Sequence, residues 1–265
     1  MRIVFLYTIL FISCPNFVLS QKIFIYEMTS KANNKIISEF YYLDRNEYVS
    51  IFRSEIEKKS DSLIQNGKYG YQSDQNLPLQ IYIVKDLKES IITKKIRTRF
   101  NDIYDISITE NLNWNIIDET KKIGEFQAKK AVCEYGGRNW TGWYTEEIPI
   151  PDGPYVFCKL PGLILEIEDN KKDYSFKLVE IKSSILFIKG RKIGIPLSFE
   201  QFKDKMKIYY NDPYIDLKQR NMWPIYKDDG NGKNIAIDGR EATVEMQKKL
   251  KDNNNPIEIN HKIEY

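Results

Sequence analysis

Between Lys22 and Ile188 apolar and polar residues alternate in short runs, the two-residue period of half-buried strands. Lys22 to Thr29 and Ile36 to Leu43 predict an opening hairpin across Ala32-Asn33-Asn34, extended by Tyr48 to Phe52. Ser54 with Glu57 forms a capping box for a helix toward Ile64, and Gly67, Gly70 and the polar run to Pro78 predict a loop. Strand patterns follow at Leu79 to Val84, near Ile91, at Asp105 to Thr109 and at Trp114 to Ile117. Beyond Asp169 the pattern resumes at Tyr174 to Ile181 and Ile185 to Ile188, with Lys189-Gly190-Arg191 as a turn. Ser198 and Gln201 form a second capping box, opening a helix to about Tyr210 with Phe199, Phe202 and Met206 on one stripe. From Asn211 the chain turns polar and is punctuated by Pro and Gly, with one helix pattern near Arg240 to Leu250.

The densest patterning lies from Gly124 to Asp169. Gly136-Gly137 is a two-residue turn signal that sets Tyr135 opposite Arg138 and Cys133 opposite Trp140. Leu160-Pro161-Gly162-Leu163 carries Pro and Gly at the central positions of a type II turn. Pairing outward from it puts Val156, Cys158, Leu160, Leu163, Leu165 and Ile167 on one face and Lys159, Glu166 and Glu168 on the other. On these registers Trp140 faces the core, while Trp143 covers the opposite face beside Tyr144 across the pleat.

The N-terminus adds a destination. Met1-Arg2, the apolar run Ile3 to Ile12 and Val18-Leu19-Ser20 before Gln21 form the pattern of a signal peptide over residues 1–20, cleaved between Ser20 and Gln21. Lipidation at Cys14 is the alternative. The run is too short to span a bilayer, so the mature chain is expected to lack a transmembrane segment and to be periplasmic, outer-membrane-associated or secreted. Formal charge is +3 for the whole chain and +2 once Arg2 leaves with the leader. The charges are interspersed, which gives nucleic acid no basic patch to bind. Only Cys133 and Cys158 then remain, both on inward positions, and two readings stand: a disulfide in an oxidising compartment, or two buried free thiols.

Together these motifs resemble a known family. Ile123-Gly124, Lys130-Ala131, Gly137-Arg138-Asn139-Trp140, Trp143-Tyr144-Thr145-Glu146-Glu147-Ile148-Pro149, Gly153-Pro154-Tyr155 and Leu160-Pro161-Gly162-Leu163-Ile164 resemble the GLPGLI family of exported Bacteroidetes proteins. The closing Asn254-Asn255-Pro256-Ile257-Glu258-Ile259 is similar to that family's C-terminal signature. Lys159 stands where the name motif has its first Gly, which argues against a positive-φ requirement there. The resemblance implies no activity and no catalytic residues, and Leu160 to Ile164 enter as a structural motif.

Candidate chemistry therefore rests on individual residues. Glu166 and Glu168, about 7 Å apart by strand rise, have the spacing of paired carboxylates or of a plain solvated face. Glu146, Glu147 and Asp152, or Asp228, Asp229, Asn231 and Asn234, are cation-ligand candidates without Ca²⁺-loop spacing. His261 is the single histidine, which disfavours a histidine triad or ordinary zinc site. No cofactor is expected. Arg138, Trp143 and Tyr144 form the expected ligand or partner face, Arg138 as an anion clamp or in an ordinary rim salt bridge, and the aromatics as an apolar or stacking surface or as the seat of the helix near Ser198. The expected fold is α+β: a curved, mostly antiparallel, half-barrel-like sheet with one or two helices on its concave side. Residues 21–210 would form its β-rich domain and 211–265 a polar C-terminal extension packed on it. The expected function is a non-enzymatic exported module for an apolar ligand or an envelope protein. A hydrolase of envelope or host polymers and a purely structural envelope component are the alternatives.

Overall fold

In the computed structural model, which describes residues 21–32, 35–184, 186–228 and 230–265, alternation produces twelve strands in one sheet. The leader and the turn residues Asn33 and Asn34 lie outside the described residues. The strands are β1 (Gln21–Ala32), β2 (Lys35–Arg45), β3 (Val49–Ser54), β4 (Tyr82–Asp86), β5 (Ile91–Arg97), β6 (Ile103–Ile108), β7 (Asn115–Ile123), β8 (Phe126–Tyr135), β9 (Arg138–Thr145), β10 (Leu163–Asp169), β11 (Tyr174–Ser184) and β12 (Ile195–Leu197). Their spatial order is β12-β6-β5-β4-β3-β2-β1-β11-β10-β9-β8-β7, and only β12, parallel to β6, departs from antiparallel pairing. The fold is thus an α+β protein on a curved, open, mostly antiparallel sheet. Ile185 is not described and residues 186–194 are irregular, so β11 absorbs the first of the two late strand patterns and the second is not a strand.

Helix α1 (Glu55–Gln65) begins where expected: Ser54 Oγ accepts from the Glu57 N–H. The box is not closed by Glu57, whose carboxylate is taken by Arg97 and Arg191. Helix α2 (Phe199–Asn211) has the full capping box, and buries Phe202 and Met206 against Leu77, Ile96 and Ile106. The short α3 (Ile215–Gln219) and α4 (Gly239–Asp252) complete the C-terminal part, beside a small hairpin of β13 (Tyr226–Asp228) and β14 (Asn234–Ala236). By strand alternation Ile96 shares the inner face with Lys94, while Arg53 and Arg97 point outward. Helix α2 therefore covers the inner face, and α1, tied to Arg53 and Arg97, covers the outer one.

The Gly136-Gly137 turn forms as expected, with φ of +63° and +75° and Tyr135 opposite Arg138 and Cys133 opposite Trp140. The second expected hairpin does not. Residues 146–162 form an irregular connection between β9 and β10, which pair directly, Leu163 with Thr145. Every residue from Asp152 to Cys158 is buried, and Tyr155, Val156, Phe157 and Leu160 fill the hollow of the sheet against Phe24, Trp140 and Phe176. A strand would present only alternate residues to that hollow; an irregular plug inserts consecutive ones.

The turn chemistry changes accordingly. Gly162 does not adopt positive φ; a Cβ there would lie 2.0 Å from Thr145 O and 3.1 Å from Glu146 Cα. Its role is close backbone approach, not a type II turn. Lys159 is the positive-φ residue, at +73°, against the expectation that its side chain argued otherwise. Its N–H donates to Pro151 O, closing the plug on itself. Two substitutions test this in urea unfolding. Gly162→Ala should lose more than about 3 kcal/mol, since backbone must move. Lys159→Gly should gain about 0.5–1 kcal/mol by relieving the left-handed conformation. Equal effects of the two would contradict the assignment.

Candidate functional site

The plug is held by charges that the sheet sends inward. Asp152, fully buried, receives Lys85 Nζ of β4 at 2.5 Å and Arg45 of β2 at 3.0 Å, and Lys85 also donates to Gly153 O. Burial alone would raise the Asp152 pKa, but Lys85 and Arg45 outweigh it and hold the carboxyl below its ordinary range. At the other end of the plug Glu258 accepts from Lys94 at 3.0 Å, from Tyr135 at 2.8 Å and from Tyr155. Its pKa is also lowered, again with burial opposing and Lys94 and the tyrosines prevailing.

Arg138 completes this latch. It is 3% exposed, and its guanidinium binds Asp169, Asp173, the Asn255 side chain and the carbonyls of Pro256 and Ile257. The Gly136-Gly137 turn admits the same segment: a Cβ on Gly136 would lie 2.9 Å from Glu258 Cα. His261 stacks on Phe199 with ring centroids 3.9 Å apart and faces Glu110 at 3.5 Å, so the single histidine belongs to the same docking.

The expected ligand face is therefore not assembled. Arg138 is consumed by the C-terminal segment, and Tyr144 is buried in the core, on the same face of β9 as Trp140. Only Trp143 lies on the outer face, half-buried under Lys121 and Lys130, whose Nζ atoms sit 4.4 and 5.9 Å from its ring. Helix α2, expected on this face, packs instead against Leu77, Ile96 and Ile106. Leu160, Leu163 and Ile164 are core residues, and Pro161 and Gly162 shape the chain where the plug joins β10.

Cys133 and Cys158 are both buried and both free, so the disulfide reading gives way to two thiols. Cys133 belongs to the apolar core, where burial pushes its pKa up to about 12. Cys158 lies in the plug, raised by burial first and within the fields of Lys85 and Asp152. The expected hairpin put Cys158 on a strand, facing inward like Cys133; the plug replaces that strand.

The carboxylate candidates disperse too. Glu166 pairs with Lys121 at 2.6 Å and Glu168 is exposed, so the two do not share a cleft. Glu146 pairs with Lys129, Glu147 accepts from the Gln127 N–H, and Asp228 caps Gly230 and Gly232. Asp229 is not described. Among the described residues no group of His, Cys, Asp and Glu could hold a metal.

A cleft of about 410 Å³ stays open at the end of the sheet, which the sequence reading missed because it joins residues from seven segments of the chain. Tyr41 and Tyr174 contribute its aromatic surface, and Tyr41 stacks on Phe52 at 5.2 Å. Glu39, Glu57, Asp74 and Arg191 line its walls, with Asn253 and Asn255 from the C-terminal segment. Glu57 is neutralised by Arg97 and Arg191, and Asp74 faces Lys249 at 3.8 Å. Burial, then Glu39, Tyr174 and Glu57, raise the Tyr41 pKa well above its usual value, which keeps its hydroxyl a donor, here toward Glu39 at 3.3 Å. The cleft offers mixed donors and acceptors over an aromatic surface.

With this geometry in place, the chain compares as follows. The model of a family described as "Protein of unknown function (Porph_ging)" matches residues 134–166, from the Gly136-Gly137 hairpin to β10. No curated protein matches. Two solved structures of PNGF-II, in the C2 and P21 space groups, are similar in fold at 17% and 18% identity, each with a TM-score of 0.51. They cover 71% and 70% of this chain, which spans only about a third of their length, 33% and 32%.

The buried carboxylates make a pH prediction. Folded pKa values below the unfolded ones of about 3.9 and 4.3 mean that Asp152 and Glu258 stabilise the fold above those values. That stability is lost as pH falls through the lower, folded values. Asp61, pushed up by burial, works in the opposite sense and softens the loss. Chemical denaturation from pH 7 to 2 should show a steep fall below about pH 4. Asp152→Asn and Glu258→Gln should each be less stable at pH 7 and show a shallower acid fall. An unchanged slope in both would refute the assignment.

Proposed function

We propose that this chain is an exported, non-enzymatic binding module of the GLPGLI type, with residues 21–265 acting as one unit. Its ligand site is the cleft at the end of the sheet. The observation that carries this reading is that the hollow of the sheet is filled while this cleft, lined by polar, aromatic and apolar residues together, stays open. An apolar ligand carried inside the half-barrel has no space beside Tyr155, Val156 and Phe157, each 0% exposed. The cleft's charges balance in number, Glu39, Glu57 and Asp74 against Lys31, Arg191 and Lys249, so the ligand class it suits is neutral and rich in hydroxyl groups. Such a ligand would stack on Tyr41 or Tyr174 and hydrogen-bond Glu39 and the asparagines. The match of residues 134–166 to the model of a family of unknown function supports only an uncharacterised family over that segment, and the leader pattern is what motivates export; neither bears on the ligand.

An envelope partner is a second reading, favoured by Ile36 and Phe40 at 71% and 50% exposure on the outer face of the β1–β2 arm. The two readings separate by titration. Neutral oligosaccharides, titrated against the protein by calorimetry or NMR, should bind, and Glu39→Ala should weaken them about tenfold, the worth of a hydrogen bond to a charged acceptor. Long-chain fatty alcohols, apolar and uncharged, should not bind. Fatty-alcohol binding, or oligosaccharide binding indifferent to Glu39, would sink the cleft assignment. A partner captured by the wild type and lost in Phe40→Ser would favour the second reading.

A further inference from the structure

A second concavity, of about 630 Å³, lies on the outer face between the end of α1 and residues 189–192. Its charge is one-sided. Arg97, Arg191, Lys68, Lys189 and Lys192 line it, and Asp61 is the one acidic residue among the lining. Asp61 is already spent: Arg53 Nη1 binds it at 2.5 Å and the Tyr82 hydroxyl donates to it at 2.6 Å. Arg97 and Arg191 share the single carboxylate of Glu57, at 3.1 and 2.5 Å. The three lysines make no ion pair among the described residues.

Hydrogen bonding shows the same deficit. The side chains of Arg97 and Arg191 are 5% and 3% exposed, yet the Nε–H of each has no acceptor. Nor does the end of α1 cancel the field. Its last carbonyls are capped by the N–H groups of Asn66, Gly67 and Lys68 and by the Asn66 side chain. Buried guanidinium charge behind a low-dielectric wall, with solvated ammonium groups at the rim, attracts an anion into the concavity. Beside the amides of Gln65 and Asn101 the lining is apolar or aromatic: Ile64 is 52% exposed, Tyr69 99%, and Ile103 is buried.

We propose that this concavity is an anion-binding site for a phosphomonoester attached to an apolar or aromatic body. The phosphate lies among Lys68, Lys189 and Lys192 in the field of Arg97 and Arg191, and the body lies on Tyr69 and Ile64. A dianionic phosphate answers the surplus charge, and the volume suits a ligand of that size. The site is separate from the cleft at the end of the sheet, although Arg191 borders both.

The probe is phenyl phosphate, with benzyl alcohol as the uncharged control, titrated against the full chain by NMR or calorimetry at low salt. The Lys189→Ala/Lys192→Ala double variant changes only exposed side chains. It should weaken phenyl phosphate at least tenfold while leaving the unfolding midpoint unchanged. Tyr69→Ala should weaken it severalfold and leave inorganic phosphate unaffected. Vesicles containing phosphatidic acid distinguish the source: binding lost in the double variant assigns the phosphate to a lipid headgroup, and no vesicle binding assigns it to a free small molecule. Absence of phenyl phosphate binding at millimolar concentration, equal binding of benzyl alcohol, or indifference to the double variant would overturn the proposal.

Discussion

The carboxylate of Glu258 is the point on which the structure turns. It lies near the C-terminus, yet it is 2% exposed and takes donors from β5 through Lys94, β8 through Tyr135 and the plug through Tyr155. A carboxylate moved out of water is tolerated only when paired and hydrogen-bonded, and withdrawing one partner leaves the others buried and unpaired. One ion thus makes the two arms of the sheet, the plug and the C-terminal segment depend on each other. Lys85 and Asp152 repeat the logic at the opposite end of the plug.

Several short motifs far apart in the chain find a common cause here. Gly136 has no Cβ because Glu258 Cα passes over it, and Arg138 collects the carbonyls of Pro256 and Ile257. Gly162 lies against Thr145 O so that β10 can start directly beside β9. Lys159 takes a left-handed conformation so that the plug can close onto Pro151. These positions serve geometry, and their chemistry is used up inside the protein. The open concavities lie instead at the end of the sheet and beside the end of α1, outside the motif-bearing segment.

Much of this was legible in the sequence. Strand alternation, the Gly136-Gly137 register, both helix starts and the inward Trp140 follow from local rules, because each is decided within a few residues. The plug was misread for a physical reason. Val156, Cys158 and Leu160 alternate with Lys159 as in a strand, and nothing local reveals that Asp152 is to be neutralised by Lys85, 67 positions away. Arg138 looked like a free clamp because its partners, Asn255 to Ile257, lie more than a hundred residues on. Tyr144 was set beside Trp143 although alternation separates them; the core claims it. Both open clefts gather side chains from segments with no shared periodicity, so no window of sequence contains either.

The central claim is that buried charge at Glu258 couples the C-terminal segment to the sheet and plug. A double-mutant cycle on unfolding free energy, with Lys94→Met, Glu258→Leu and both together, measures it most directly. The account predicts that each single change costs about 3–5 kcal/mol and that the double change costs at least about 2 kcal/mol less than their sum. Additivity within about 0.5 kcal/mol would contradict it.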